Sequence, residues 1–276
     1  MSAAVYFCQK QDRFYADHIC YDLPGDFRFV PHTHEMCELL FIKSGCVSYI
    51  TEGKHYSLRK NSLVFIRPAC IHQLRIEGKE PYERYDLLCD LPSLLPRLYG
   101  LLPKDLDVVD FHDNPRVIDL FQKMDLYHQK FSPEDFHRLV LLLLEELLYN
   151  TLIASPQQTL QRGVSDNPLI RQAVAYMEAH IAEPLTVEDV CGALYITKSH
   201  LHHLFNRYMQ ITPKKYILSK RLTLSQIAIR SGKKPTEVYS QYGFQNYATF
   251  YRAYCNHFGY RPSDEPTQSS NWDNHA

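Results

Sequence analysis

The chain has 276 residues, 45% apolar and 22% charged, a globular composition with room for two domains, since one core seldom grows past about 250 residues. No uncharged apolar run approaches the roughly 18 residues that cross a bilayer, and the opening residues have no apolar leader core, so a cytoplasmic protein without membrane contact is expected. The net charge of -1 hides an asymmetry: residues 1–164 carry 18 Lys and Arg against 22 Asp and Glu, whereas residues 165–276 carry 12 against 9, which points any polyanion toward the second half.

In chain order, residues 27–89 predict short strands at 37–43, 46–51, 55–58, 62–67, 72–76 and 82–89, rich in β-branched and aromatic residues. Turn chemistry separates them at Ser44-Gly45, Gly53, Asn61, Pro68-Ala69 and Gly78. Short, evenly spaced strands without helices between them predict an antiparallel barrel or sandwich. From residue 92 the period changes. Residues 115–130 and 133–153 predict two helices, the second with Ser132 as N-cap and Pro133 at N1. That second helix carries two apolar stripes: Val140, Leu143 and Leu147, then Leu141, Leu144, Leu148 and Leu152. A surface helix needs one stripe, so burial against a second copy is expected, and helices 115–153 are the predicted homodimer element. Residues 154–167 have no periodicity and predict a linker. The eight cysteines are scattered without a CxxC pair, as suits reduced thiols.

His32, His34 and Glu38 form a HxHxxxE pattern followed by Gly45, and His72 comes one hairpin later. Three imidazoles and a carboxylate on one inner face are the donor set of a divalent transition metal. The pattern resembles the cupin superfamily, which implies a jelly-roll barrel over roughly residues 5–90. The departures are the displacement of the first-motif glycine to Gly25, and Asn61 and Ala69 where Gly or Asp and Gly are usual. The resemblance with these departures implies a site without metal or other cofactor. His32, His34, Glu38 and His72, with Tyr49, are then expected to line a small-molecule site.

Residues 168–264 read as helical throughout and contain a repeat, 185–213 against 234–262, each a helix, a short turn, a second helix and a closing Pro. Thr186 before Val187-Glu188-Asp189 predicts a capping box, and Thr197 caps the helix after the turn. Leu201, Leu204, Phe205 and Tyr208 mark the buried face of the first post-turn helix, as Tyr247, Phe250, Tyr254 and Phe258 do in the second. Opposite them lie Lys198, Ser199, His202, His203, Asn206 and Arg207 in the first copy and Gln245, Asn246, Thr249 and Arg252 in the second. Short hydrogen-bonding side chains with flanking cations suit base edges and phosphates, with Arg207 and Arg252 as phosphate partners.

This half closely resembles the tandem helix-turn-helix domain of AraC/XylS-type transcription regulators, through Gly243-Phe244, Phe250, Arg252, Tyr254, Gly259 and Pro262 and through Tyr216, Arg221 and Leu222 in the connecting helix. Tyr239 replaces a small Ala and Gln210 a Gly. Together the resemblances imply an all-β cupin-like sensor with flanking helices at 1–153, a linker at 154–167, an all-α DNA-binding domain at 168–264 and a polar tail at 265–276. The implied function is a bacterial-type regulator that binds promoter DNA and responds to a small metabolite, most often a sugar. RNA polymerase contact is implied as well. Two rivals stand beside it: a metal-dependent cupin enzyme fused to a DNA-binding domain, and a regulator whose barrel only dimerises.

Overall fold

A computed structural model describes residues 2–11, 13–22, 25–112, 114–154 and 167–265. Strands β1 (Ser2–Gln11), β2 (Phe14–Asp22), β3 (Phe27–Arg28), β4 (Cys37–Ser44), β5 (Cys46–Thr51), β6 (Lys54–Leu58), β7 (Ser62–Ile66), β8 (His72–Glu77) and β9 (Tyr82–Cys89) are followed by helices α1 (Leu91–Leu94) and α2 (Pro96–Leu101) and strand β10 (Val108–Asp110). They make two antiparallel sheets, ordered β1-β2-β9-β4-β7-β10 and β3-β8-β5-β6. The two sheets face each other across Leu40, Ile42, Val47, Tyr49, Val64 and Ile76, as a jelly-roll barrel requires.

The larger sheet is buried on both faces, which is why β4 and β7 are apolar without alternation. Direct pairing of Leu40 with Asp86 and Glu38 with Leu88 puts even-numbered side chains on the inner face. Leu39, Phe41, Tyr85 and Leu87 point the other way, under helices α3 (Pro115–Lys130) and α4 (Pro133–Ile153). There Phe41 stacks on Phe121 at 4.0 Å between ring centroids. Buried His18 joins sheet to helix, with one ring nitrogen 2.6 Å from Asp125 and the other 2.8 Å from Glu83.

Both stripes of α4 are covered within this one chain. Val140, Leu143, Leu144, Leu147 and Leu148 are buried in the same core, with Leu141 and Leu152 packed at its margin. The expectation that one stripe awaits a second copy is thereby corrected: α2, α3 and the sheet supply both covers. The large apolar residues that α4 leaves in solvent are Leu142, Tyr149 and Ile153, at 64, 46 and 81% exposure.

Helices α5 (Pro168–Ala179), α6 (Val187–Leu194), α7 (Lys198–Tyr208), α8 (Pro213–Arg230), α9 (Pro235–Gln241) and α10 (Tyr247–Phe258) form the second half. The expected capping box at Thr186 and Asp189 is present, and Thr197, Thr212 and Asn246 cap the N-termini of α7, α8 and α10. Gln210 takes the left-handed conformation at φ 53° that its position demands. Tyr239 packs its edge against Tyr247 at 5.8 Å, so the larger ring is accommodated between α9 and α10. Gly243 admits no side chain: a Cβ there would sit 2.5 Å from the Glu183 carbonyl oxygen and 2.6 Å from the Arg221 guanidinium.

Glu265, expected in the polar tail, is buried and structural. It accepts from Gln226 at 3.1 Å, from Tyr260 at 3.0 Å, from Tyr254, and pairs with Arg230 at 2.7 Å. The expected linker, apart from Ala154 and Asn167, and the rest of the tail lie outside the described residues.

Candidate functional site

At the open end of the barrel lies a cleft of about 770 Å³, inside the range of small-molecule sites. Its floor comes from the sensor half: His32, His34, Glu38, His72, Arg84 and Asp86, flanked by Phe27, Phe29 and Leu74. Its roof comes from the other half: Lys215, Ser219, Gln226 and Arg230 of α8, with His257, Phe258 and Tyr260 at the end of α10.

His32 is not on a continuous strand with His34. It forms an isolated bridge with His72, the two residues exchanging backbone hydrogen bonds of 3.1 and 2.9 Å, while His34 lies in the loop before β4. The same four side chains still converge, with one ligand-type atom from each within 4.8 Å of the others. His34 Nε2 stands 2.9 Å and His72 Nε2 3.2 Å from Glu38 Oε2. Burial pushes the Glu38 carboxyl up, but hydrogen bonds from His34 and His72 outweigh it and hold the group well below the usual carboxylate range. Burial and the neighbouring His72 push His32 down to about 3, so that imidazole is neutral. Beside them Arg84 Nη1 pairs with Asp86 Oδ2 at 2.5 Å and Asp17 Oδ1 at 3.2 Å. Burial, then the charge of Glu38, raises Asp86 well above its ordinary value, and its buried Oδ1 has no hydrogen-bond partner among the described residues.

The halves meet through buried charge as well as across the cleft. Glu52, in the β5–β6 turn, accepts from Tyr216 and from the Ile71 amide at 2.9 Å, and pairs with Lys220 at 2.8 Å. Lys220 also reaches Glu178 at 2.6 Å. Glu35, next to His34, pairs with Arg230, and Gln73 donates to Gln210 at 3.3 Å.

Lys198, Ser199, His203, Asn206 and Arg207 of α7 are exposed and His202 half-buried, while Leu201, Leu204 and Phe205 are buried. Gln245, Asn246, Thr249 and Arg252 are exposed around α10, over buried Phe250 and Tyr254. Asn246 has part of its hydrogen-bonding capacity spent, since its Oδ1 accepts from the Thr249 amide at 2.9 Å as the cap of α10. Lys198 is held by Glu188 at 2.5 Å.

A family described as AraC-like ligand binding domain matches residues 17–152, and one described as helix-turn-helix domain matches residues 190–265. The chain belongs to the AraC family of transcription regulators. Among similar proteins, the HTH-type transcriptional activator RhaS of Enterobacter sp. (strain 638) is 23% identical over 249 residues, 86% of this chain and 87% of RhaS. The HTH-type transcriptional regulator ArgR of Pseudomonas aeruginosa is 31% identical over 105 residues, 38% of this chain, so the chain spans only 32% of that relative. ToxT from Vibrio cholerae O395 is a structural neighbour at 14% identity and a TM-score of 0.39, covering 91% of this chain and 96% of ToxT.

A DNA-binding half and a sensor half that takes a small-molecule effector follow from the family, and no described helix is long and apolar enough to cross a membrane. Within this AraC-family chain, the four expected floor residues do line one cleft. Tyr49, expected among them, is buried in the barrel core against Tyr56 and is absent from the cleft wall, although its cross-strand partner Leu74 borders the cleft. Arg84 and Asp86 were not expected. Their signal was that Arg84 and Asp86 stand at alternate positions of β9, the period that puts both on one face, with Glu83 on the other.

Proposed function

We propose that this AraC-family regulator is controlled by a small polar metabolite of carbohydrate type held in the cleft between its halves. The observation that supports this is the cleft's dual construction: one ligand would touch both the barrel floor and helix α8. Donors and acceptors alternate around it, from Arg84 and Asp86 to Ser219, Gln226 and Tyr260, with Phe27 and Phe29 as apolar faces. Polyhydroxylated ligands need this mixture, since each buried hydroxyl must find a partner.

In this reading α7 and α10 enter successive major grooves about 34 Å apart, joined by the 18-residue α8, about 27 Å long. His202, His203 and Asn206, with Gln245, Asn246 and Thr249, meet base edges, and Arg207 and Arg252 meet phosphates beside Lys198 and Ser199. Residues 1–153 sense and 168–264 bind DNA. The regulator acts in the cytoplasm as a homodimer, which pairs through Leu142, Tyr149 and Ile153 of α4, the apolar residues that its own core leaves uncovered. Promoter-bound dimers contact RNA polymerase.

The test is a thermal-shift screen of the purified chain against monosaccharides, disaccharides and sugar acids at millimolar concentration. A ligand at about 100 times its dissociation constant adds roughly 2.7 kcal/mol and raises the melting temperature by several degrees. A hit should lose its shift in Asp86→Asn. If no carbohydrate shifts melting while uncharged apolar compounds do, the carbohydrate reading fails.

A further inference from the structure

We infer that the effector is an amino sugar whose protonated amine is held between Asp86 on the barrel floor and Gln226 on the roof, an inference that rests on the carbohydrate reading for the rest of the ligand. The charges of the floor do not balance without it. Asp17 and Asp86 are directly opposed on β2 and β9, where like charges repel. Both are buried, and one guanidinium serves both, with Arg84 Nη1 2.5 Å from Asp86 Oδ2 and 3.2 Å from Asp17 Oδ1. Asp17 has further support, since the Tyr15 hydroxyl donates to its Oδ2 at 2.6 Å. Glu38 has its own partner in His34 at 2.9 Å. Asp86 has Arg84 alone, and it is the member of the opposed pair that lines the cleft. A buried carboxylate without a full counter-charge is costly, and a cationic ligand group beside Asp86 removes that cost.

Hydrogen-bonding capacity points the same way, from both walls. Asp86 is 4% exposed and Gln226 3%. Among the described residues, Asp86 Oδ1 and Gln226 Oε1 have no hydrogen-bond partner, and both can only accept. The Gln226 amide is held with its oxygen free, because Nε2 donates to the Tyr260 hydroxyl at 2.9 Å and to Glu265 at 3.1 Å. The neighbouring donors are spent on protein acceptors. Arg84 Nη1 serves the two aspartates, Arg230 serves Glu35 and Glu265, and the Tyr260 hydroxyl donates to Glu265 at 3.0 Å.

An ammonium brings three donors and no acceptor, which matches two orphaned acceptors. A hydroxyl brings lone pairs that need donors in turn. Phe29 of the floor and Phe258 of the roof also line the cleft, and aromatic faces attract a cation while doing little for a neutral hydroxyl. Lys215 and Arg28 border the cleft as well, but both are exposed, so water screens them from a charge on the floor. A ligand nitrogen between Asp86 and Gln226 touches the barrel and α8 at once.

The experiment measures dissociation constants of the purified full-length chain by isothermal titration calorimetry near neutral pH. The probes are glucosamine, galactosamine and mannosamine, each beside its neutral parent sugar and its N-acetyl derivative, with ethanolamine and putrescine as amines that lack a sugar. At least one amino sugar should bind about 10- to 100-fold more tightly than both of its uncharged counterparts, the worth of a hydrogen bond to a charged group. Asp86→Asn, checked for folding by circular dichroism, should bring that amino sugar and its neutral parent within about threefold of each other. Gln226→Met, checked in the same way, should weaken the amino sugar about tenfold and keep its preference over the neutral parent. The wild-type comparison among probes decides the matter even where a variant fails to fold. Neutral sugars that bind as tightly as amino sugars, a preference that survives Asp86→Asn, or undiminished binding in Gln226→Met would overturn the inference and leave the carbohydrate reading in place. Binding of ethanolamine or putrescine without any sugar would keep the ammonium between Asp86 and Gln226 and remove the carbohydrate reading, and silence of every probe would overturn both.

Discussion

Removing Glu52 tests the hold between the halves. Its carboxylate serves Tyr216, Lys220 and the Ile71 amide together, with Lys220 side-chain exposure at 8% and its own at 13%. Breaking one side of a buried ion pair costs about 3–5 kcal/mol, because the remaining charge stays desolvated. Glu178 still partners Lys220 at 2.6 Å, but it is 45% exposed and solvent-screened, which moves the expected cost of Glu52→Ala to about 3 kcal/mol. The stranded Ile71 amide and Tyr216 hydroxyl add to this only while the halves remain docked, since separation rehydrates them. Separation therefore caps the loss, and docking should weaken about 100-fold, at 1.4 kcal/mol per factor of ten. Hydrogen exchange by mass spectrometry reads this at residues 68–76 and along α8. Adding Lys220→Met to Glu52→Ala removes the orphaned charge and should restore much of the protection, a coupling that a double-mutant cycle measures. Glu178→Ala alone should cost less than about 1 kcal/mol. If Glu52→Ala exposes these segments no more than Glu178→Ala does, the buried-pair reasoning is wrong.

On α4, Leu144→Glu buries a charge within the chain's own core and should leave little folded protein, whereas Leu142→Glu with Ile153→Glu should give a folded monomer by light scattering. On α7, Asn206→Ala should cost about 1–3 kcal/mol on the promoter site and little on random DNA in binding titrations. Arg207→Ala should weaken both alike and flatten the salt dependence by about one unit.

Strands β4 to β9 stand where their turn residues and β-branched runs put them, because local chemistry decided them. The β1–β2 hairpin was not legible. Val5 and Tyr6 are both more than half exposed and only Phe7 is buried in that stretch, so no alternation marks the edge strand. For α4 the two stripes were legible but not their partner: a helix pattern states how much surface is buried, never which element covers it. The cleft was half legible. His32, His34, Glu38 and His72 belong to one motif pair, but their roof at Lys215, Arg230 and His257 lies more than 140 residues on and is brought over by docking that no period encodes. Tyr49 failed for a local reason, since inward-pointing residues of a barrel divide between its apolar interior and its open end, and strand alternation does not say which; Tyr49 packs in the interior against Tyr56.

The joint between the two helix-turn-helix units limits how any signal reaches DNA. Arg221 of α8 donates to the Ile181 carbonyl at 3.0 Å and to that of Glu183, and Gly243 lies against this knot with no room for a Cβ. The first unit's entry, the connecting helix and the second unit's turn thus meet at one crowded point. A crowded contact has one packing, not a range of them. Signals from the cleft should therefore move the DNA-binding half as one body against the barrel, without changing the spacing of α7 and α10. Gly243→Ala should loosen the joint, at about 2–4 kcal/mol for the close contact plus a left-handed alanine at φ 72°. Label-to-label distances between exposed Ala193 on α6 and Glu237 on α9 are the measurement. They should stay the same, within about 2 Å, in the wild type with and without Glu52→Ala, and should broaden in Gly243→Ala. A wild-type distance that shifts when the halves are undocked would show that the barrel sets the spacing of the two units, and the rigid-joint argument would fall.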